Sequence, residues 1–267
     1  VIDNDLGQSL LALGVGALVV LVFMTACFVW SVRTQKLTVV DTAWGIGFVL
    51  VALSAAVVSL GGDSSRVLPW LLVAMTAIWG LRLAIYLHRR NSGKDEDPRY
   101  AELAQADGRS FAQVAVARVF APQGIAMFLV STPLMIGSQN ARVSTPLLVV
   151  GVLVWALGVF FEATGDAQLA RFKSDPDNRG AIMDRGLWRY TRHPNYFGDA
   201  CVWTGIWLVA AGSVPGLVTV VSPIAMTVFL TKVTGAALNE KGMRRSKPGY
   251  EDYVRRTSGF VPLPPRR

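Results

Sequence analysis

Long apolar runs alternate with short polar or strongly basic stretches along this chain. A bilayer core takes about 20 mainly apolar residues per helix. Runs of that character cover 6–31, 37–60, 67–87, 119–137, 146–166, 197–211 and 217–234. The pattern predicts an all-α integral membrane protein of seven transmembrane helices, forming a single transmembrane domain over 1–267. The sixth run is the shortest, and Trp203, Gly205, Trp207 and Gly212 leave its ends least defined. The first run follows Asp3 and Asp5 rather than a basic region and outlasts the apolar core of a signal peptide. It is read as a retained helix.

Charge orients the bundle. With the N-terminus outside and the C-terminus cytosolic, all of the 26 Lys and Arg except Arg66, Arg142 and Arg82 fall on the cytosolic side. Such a bias follows the positive-inside rule and requires an odd number of helices. The outer loops 61–66, 138–145 and 212–216 are short, and the inner segments are long. The segment 94–107 is expected to be a charged loop with a short helix through 100–105. No internal repeat of the transporter kind is evident, so chemistry is expected at the cytosolic ends of the helices.

Composition narrows the classes. The apolar fraction is 52%, the charged fraction 16% and the net charge +8. Because the positive charge lies between apolar runs, it points to membrane lipids and not to nucleic acid. Cys27 and Cys201 each lie inside an apolar run, which argues against a disulfide framework or a cysteine metal site. His88 and His193 are the only histidines, without a ligand set around them, so no metal is expected. Gly14, Gly16, Gly45 and Gly47 suit close helix packing. No obligate protein partner is indicated, and the location expected is a bacterial cytoplasmic membrane.

Charges within apolar runs are costly and mark function by default. Asp41 and Trp44 lie on one face near the start of the second run. Arg82, Tyr86 and Arg89 form a stripe at i, i+4, i+7 in the third. Glu162 and Asp166 repeat the i, i+4 spacing in the fifth, and Asn195 and Asp199 in the sixth. Taken one at a time, such stripes have a bland reading. Asp41 could pair with Arg33 or Lys36, and Arg82 could snorkel. Four stripes at one depth instead imply an enclosed polar space, a cofactor cavity open to the cytosol.

The densest stretch is 185–199. Pro194 fixes a turn, and a helix starting there offers free N–H groups with Arg189, Arg192 and His193 around them. That set suits an anion, phosphate above all, or else acidic lipid headgroups. No G-x-G-x-x-G follows a strand and no P-loop is present, so any nucleotide is held without a Rossmann domain.

The run Arg192-His-Pro-Asn-Tyr-Phe-Gly-Asp199 within 186–203 resembles the C-terminal domain of the steroid 5α-reductase family, in its poorly characterised bacterial branch. Further agreement lies in Asp41-Thr-Ala-Trp44, Tyr86-Leu-His-Arg89, Glu162-Ala-Thr-Gly-Asp166-Ala-Gln168, Gly249-Tyr-Glu-Asp-Tyr253 and Phe260-Val-Pro262. The likeness covers about 37–267. Isoprenylcysteine and phospholipid methyltransferases share a similar Arg-His-Pro-x-Tyr piece.

The resemblance implies a membrane reductase that uses NADPH to reduce a carbon–carbon double bond conjugated to a carbonyl. The implied substrate is a hydrophobic, lipid-like enone or enoyl compound entering from the bilayer. Tyr86 would hydrogen-bond the carbonyl, backed by Asp41 held protonated by burial. Arg89, Asp166, Lys173, Asn195 and Asp199 would contact the cofactor. So would Trp44, Arg179, Tyr190, Arg192, His193, Glu240, Arg244, Arg245, Tyr250 and Tyr253. Asp41 stands where the steroid enzymes carry glutamate, Glu162 where they carry asparagine, and Glu240, Arg244 and Arg245 stand in for their histidine-rich tail. Two other readings remain: an S-adenosylmethionine-dependent lipid methyltransferase, and a lipid-binding membrane protein without catalysis.

Overall fold

The computed structural model describes residues 6–96, 100, 108–233 and 236–266. The expected helix over 100–105 lies outside the described residues apart from Tyr100. In chain order the helices are α1 (Leu6–Thr34), α2 (Val39–Ser59), α3 (Leu68–Asn91), α4 (Phe111–Gly137), α5 (Thr145–Ser174), α6 (Pro194–Ala210), α7 (Val214–Lys232), α8 (Ala236–Ser246) and α9 (Tyr250–Arg256). Among the described residues the regular structure is helical, with one isolated parallel bridge between Thr191 and Ser258.

Six helices, α1 to α5 and α7, are long and apolar enough to cross a membrane. The sixth predicted run appears as α6, which begins at Pro194 and has 17 residues, the low end of the spanning range. Trp203, Ile206 and Ala210 on α6 are fully buried. By contrast α5 exposes Val149, Val150, Leu153, Leu157 and Phe160, the apolar surface expected of a helix that meets lipid.

Two of the helices are interrupted. In α4 the stretch Ala115–Phe120 is π-helical, and the helix breaks at Ser131 ahead of Pro133. Proline supplies no N–H to Leu129 O, and the Thr132 hydroxyl donates to that carbonyl instead at 2.9 Å. In α7 the helix turns at Thr219–Val220 and ends in a π-helical stretch, Phe229–Val233.

The chain divides into two compact units. The first is Val1–Val149 with Ile206–Ser222, and the second is Val150–Gly205 with Pro223–Arg267. Within the first unit, α2 and α3 meet backbone to backbone at Gly45 and Gly80. Gly16 packs on Met135 and Gly47 on Met127. Gly14 has open space around it, so only three of the four expected packing glycines serve that purpose. Phe48 joins Trp44 and Trp79 edge-on, with centroids 5.1 and 5.6 Å away. Buried Asn140 donates to Ala210 O at 2.8 Å and accepts from the Ser213 hydroxyl at 2.6 Å, which ties together loops at the helix ends.

The second unit is built on a glycine seam. Gly151, Gly158 and Gly165 recur every seven residues along α5, as do Gly198 and Gly205 along α6. The two helices run antiparallel, and a Cβ at Gly158 would lie 2.5 Å from Gly198 O. One at Gly205 would lie 2.5 Å from Gly151 O, and one at Gly198 2.5 Å from Glu162 N. Only a residue without a side chain permits such an approach. The seam sets α5 and α6 in register and thereby fixes their polar residues.

Candidate functional site

The polar end of the seam carries Glu162, Asp166, Asn195 and Asp199, and brings Asp166 and Asn195 into contact. Glu162, Asp166 and Asp199 are all buried, at 3, 4 and 7% exposure. Asn195 Nδ2 donates to Asp166 Oδ1 at 3.3 Å, which links the first turn of α6 to α5. Gly165 faces Pro194 and Asn195, so the backbone of α5 itself leaves room for the start of α6.

Ahead of α6, the segment 186–193 folds against the C-terminal segment. Gly186 turns the chain with φ 58°, a left-handed conformation that disfavours a side chain. Leu187 N donates to Gln168 Oε1 at 2.9 Å, and Trp188 Nε1 to Gly165 O at 3.0 Å, so both anchor on α5. Tyr253 hydroxyl donates to Trp188 O at 2.6 Å. Arg192 N bonds Ser258 O, Thr191 Oγ1 bonds Phe260 O, and Leu263 N bonds Tyr190 O. The Tyr190 ring itself is exposed.

The Arg192 side chain sits inside this clasp. Its Nη1 donates to Thr257 O at 2.7 Å and Val254 O at 3.3 Å, the carbonyls that α9 leaves unsatisfied at its end. Its Nε donates to Glu240 Oε1 at 2.9 Å, and His193 Nε2 reaches the same oxygen at 3.0 Å. His193 stacks on Tyr196, and the Tyr196 hydroxyl accepts from Asn239 Nδ2 at 2.9 Å. Burial works against the Glu240 charge, but the hydrogen bonds and positive charge of His193 and Arg192 outweigh it and hold the carboxyl at about 2. Burial, reinforced by the Glu240 charge, pushes the Tyr250 hydroxyl up to about 12. Burial likewise raises Tyr253, and both phenols stay protonated. The sequence marks Arg192, His193 and Glu240 as contacts for an external anion. The structure gives Arg192 and His193 an internal one.

A different set of cations is arranged for a ligand. The C-terminal end of α5, the turn after it and α8 enclose a cleft of about 210 Å³. Lys173, Arg179 and Lys247 line it, with Leu169, Phe172, Met183 and Met243 as apolar walls. Its one carboxylate, Asp175, is occupied locally by Asp177 N and Asn178 Nδ2. Three cations and one acid therefore line the cleft among the described residues. Lys173 and Arg179 are anticipated by the sequence, whereas Lys247 and Met243 are not. Lys247 follows the end of α8 directly, and its N–H donates to Met243 O at 2.9 Å, which keeps the two together. Arg244 pairs with Glu251 at 2.8 Å and Arg245 is exposed, both outside the cleft.

The remaining predicted residues belong to the first unit. Asp41, in the first turn of α2, accepts the Tyr100 hydroxyl at 2.9 Å and pairs with Arg90 Nη2 at 3.5 Å. Both carboxylate oxygens thus act as acceptors, toward a tyrosine and an arginine rather than toward Arg33 or Lys36. Glu96 accepts the backbone N–H groups of Leu37 and Thr38, which secures the start of α2. Tyr86 is half-buried on α3, with Arg89 exposed one turn on, and Trp44 lies against Phe48.

A sequence profile described as a protein of unknown function, DUF1295, matches residues 27–257. The chain belongs to the DUF1295 family. Among curated proteins, this member is similar to Steroid 5-alpha-reductase DET2 of Arabidopsis thaliana, with 38% identity over 71 residues, 26% of each chain. It is also similar to Probable O-methyltransferase ustE of Ustilaginoidea virens, with 30% identity over 74 residues, 28% of this chain and 26% of the other. The matches span about a quarter of the length of these relatives. No solved structure matches the chain.

Proposed function

We propose that this protein is an integral membrane reductase that takes NADPH and reduces a carbon–carbon double bond conjugated to a carbonyl in a lipid-like substrate. The observation that carries the reading is the cleft lined by Lys173, Arg179 and Lys247, side chains of a kind that bind the phosphates of a dinucleotide. At about 210 Å³ it fits one phosphorylated end of such a cofactor and not the whole of it. The likeness to the plant reductase supports the same class. When bound, NADPH supplies hydride, and the protein supplies binding, orientation and electrostatics.

In this reading Lys173, Arg179 and Lys247 neutralise phosphate oxygens. Asn195, held by Asp166, offers an amide to the cofactor. Tyr86 donates its hydroxyl proton in a hydrogen bond to the substrate carbonyl. Asp41 supports Tyr86 from the start of α2, where it accepts the Tyr100 hydroxyl and meets Arg90. The short α6 serves as the seventh span, with the N-terminus outside and the basic C-terminal segments in the cytosol.

The match to an O-methyltransferase supports a second reading, a membrane methyltransferase using S-adenosylmethionine. Thermal unfolding of the detergent-purified protein with each ligand separates the two. A ligand at 100 times its Kd stabilises by about 2.7 kcal/mol. NADPH is expected to raise the melting temperature and S-adenosylmethionine to leave it unchanged; the reverse result makes the protein a methyltransferase. Tyr86→Phe is expected to lower turnover about a hundredfold with little change in NADPH affinity. Equal losses in both would remove Tyr86 from the chemistry.

A further inference from the structure

A second cavity lies in the first unit and has no part in the reading above. It is a groove of about 520 Å³ where α1 and α4 meet, lined by Phe28, Arg109, Ala112, Gln113, Val116 and Ala117. Its floor is apolar. Ala112, Gln113, Val116 and Ala117 repeat at i, i+1, i+4 and i+5, one face of α4. The alanines leave the floor low, and Phe28 closes one side, braced edge-on by Phe120 at 5.9 Å. The π-helical stretch Ala115–Phe120 widens this turn and leaves Val116, Ala117 and Arg118 exposed in succession.

The polar end of the groove is defined independently. Ser110 and Gln113 form a reciprocal capping box at the start of α4. Ser110 Oγ accepts from Gln113 N at 3.4 Å, and Gln113 Oε1 accepts from Ser110 N at 3.1 Å. With its oxygen so engaged, the Gln113 amide must present its two N–H donors away from the cap. Arg109 adds an exposed guanidinium at the same end, so the mouth carries donors and positive charge while the floor carries none. From Phe111 to Ala117 the helix rises about 9 Å, and Arg109 precedes its first residue, which sets the charge at one end of an apolar track.

We propose that this groove binds an anionic phospholipid of the bilayer, its phosphate diester on Arg109 and Gln113 and one acyl chain along Phe28, Ala112, Val116 and Ala117. Only an amphiphile satisfies both ends. A soluble anion leaves the floor wet, and a neutral hydrocarbon leaves the donors unused.

The test is native mass spectrometry of the detergent-purified protein with phosphatidylglycerol and phosphatidylcholine of identical chains in equal amounts. A phosphatidylglycerol preference of about fivefold is expected for one basic contact near the surface. Arg109→Gln should abolish the preference, and Val116→Trp, which fills the floor, should reduce adducts of both lipids. Arg171→Gln, an exposed basic residue off the groove, should leave the preference intact. Equal adducts of both lipids on the unaltered protein overturn the proposal. So do a preference that survives Arg109→Gln and one that Arg171→Gln erases as fully.

Discussion

The second unit contains two clusters of basic residues with opposite fates. In the clasp, Arg192 and His193 converge on one carboxylate oxygen of Glu240, and Arg192 Nη1 donates to two helix-end carbonyls. In the cleft, Lys173, Arg179 and Lys247 line a space together with Asp175. The first cluster has its counter-ion built in and is a structural joint. The second lines an open cleft and is the place proposed for a ligand. Basic residues near a helix start therefore do not by themselves mark an anion site; what counts is which acid the rest of the fold brings to them.

The comparison is broken most directly at Arg192. Replacing it by alanine leaves Glu240 charged and largely buried and frees the carbonyls at the end of α9. A loss of about 3 kcal/mol in stability is expected, read as a lowered denaturation midpoint in detergent. If Arg192→Ala melts like the unaltered protein yet loses NADPH binding, the clasp is a ligand site after all. In the cleft the effects should be smaller and of another kind. Lys173→Gln, Arg179→Gln and Lys247→Gln are each expected to weaken NADPH about tenfold by titration. Their melting temperatures without ligand should stay within a degree or two, because exposed charges contribute little to stability. A large fall in stability would make the cleft a second joint.

The smallest effect concerns pH. The Glu240 carboxyl lies at about 2 in the folded protein, below its ordinary value of 4.5. A carboxyl depressed on folding stabilises the native state above its unfolded value and ceases to do so as pH falls through the folded one. The stability advantage over Glu240→Gln should shrink as pH falls from 4.5 to 2. An advantage that grew on acidification would contradict the clasp geometry.

Hydropathy made the long helices legible. The runs at 6–31, 37–60 and 67–87 reappear as α1, α2 and α3 with ends shifted by a few residues, because a bilayer-spanning helix is specified by local composition. α6 was harder to delimit, since a short helix buried in protein needs no long lipid-facing surface. The glycine seam has no signal in either helix alone. A seven-residue spacing on α5 acquires meaning only when the antiparallel register of α6 is known. Lys247 joins Lys173 at the cleft, and Glu240 joins Arg192 in the clasp, across separations of 74 and 48 residues, through the placement of α8. No local pattern encodes such a meeting. For Asp41, the sequence offers Arg33 or Lys36 as partners, whereas Arg90 of α3 and Tyr100 meet it in the structure.

One dimension of α5 has a further consequence. At 30 residues it measures about 45 Å, half as long again as a hydrocarbon core of about 30 Å. Its last turns therefore form a rigid stalk that carries Lys173 about 10 Å beyond Asp166. In the topology proposed above, the cleft would thus stand at a gauged height above the lipid, reachable from water without any bending of the helix. Lengthening the stalk by one residue between Asp166 and Lys173 would swing the lysine by about 100° around the axis and detach charge from cleft while leaving the buried part of the helix untouched.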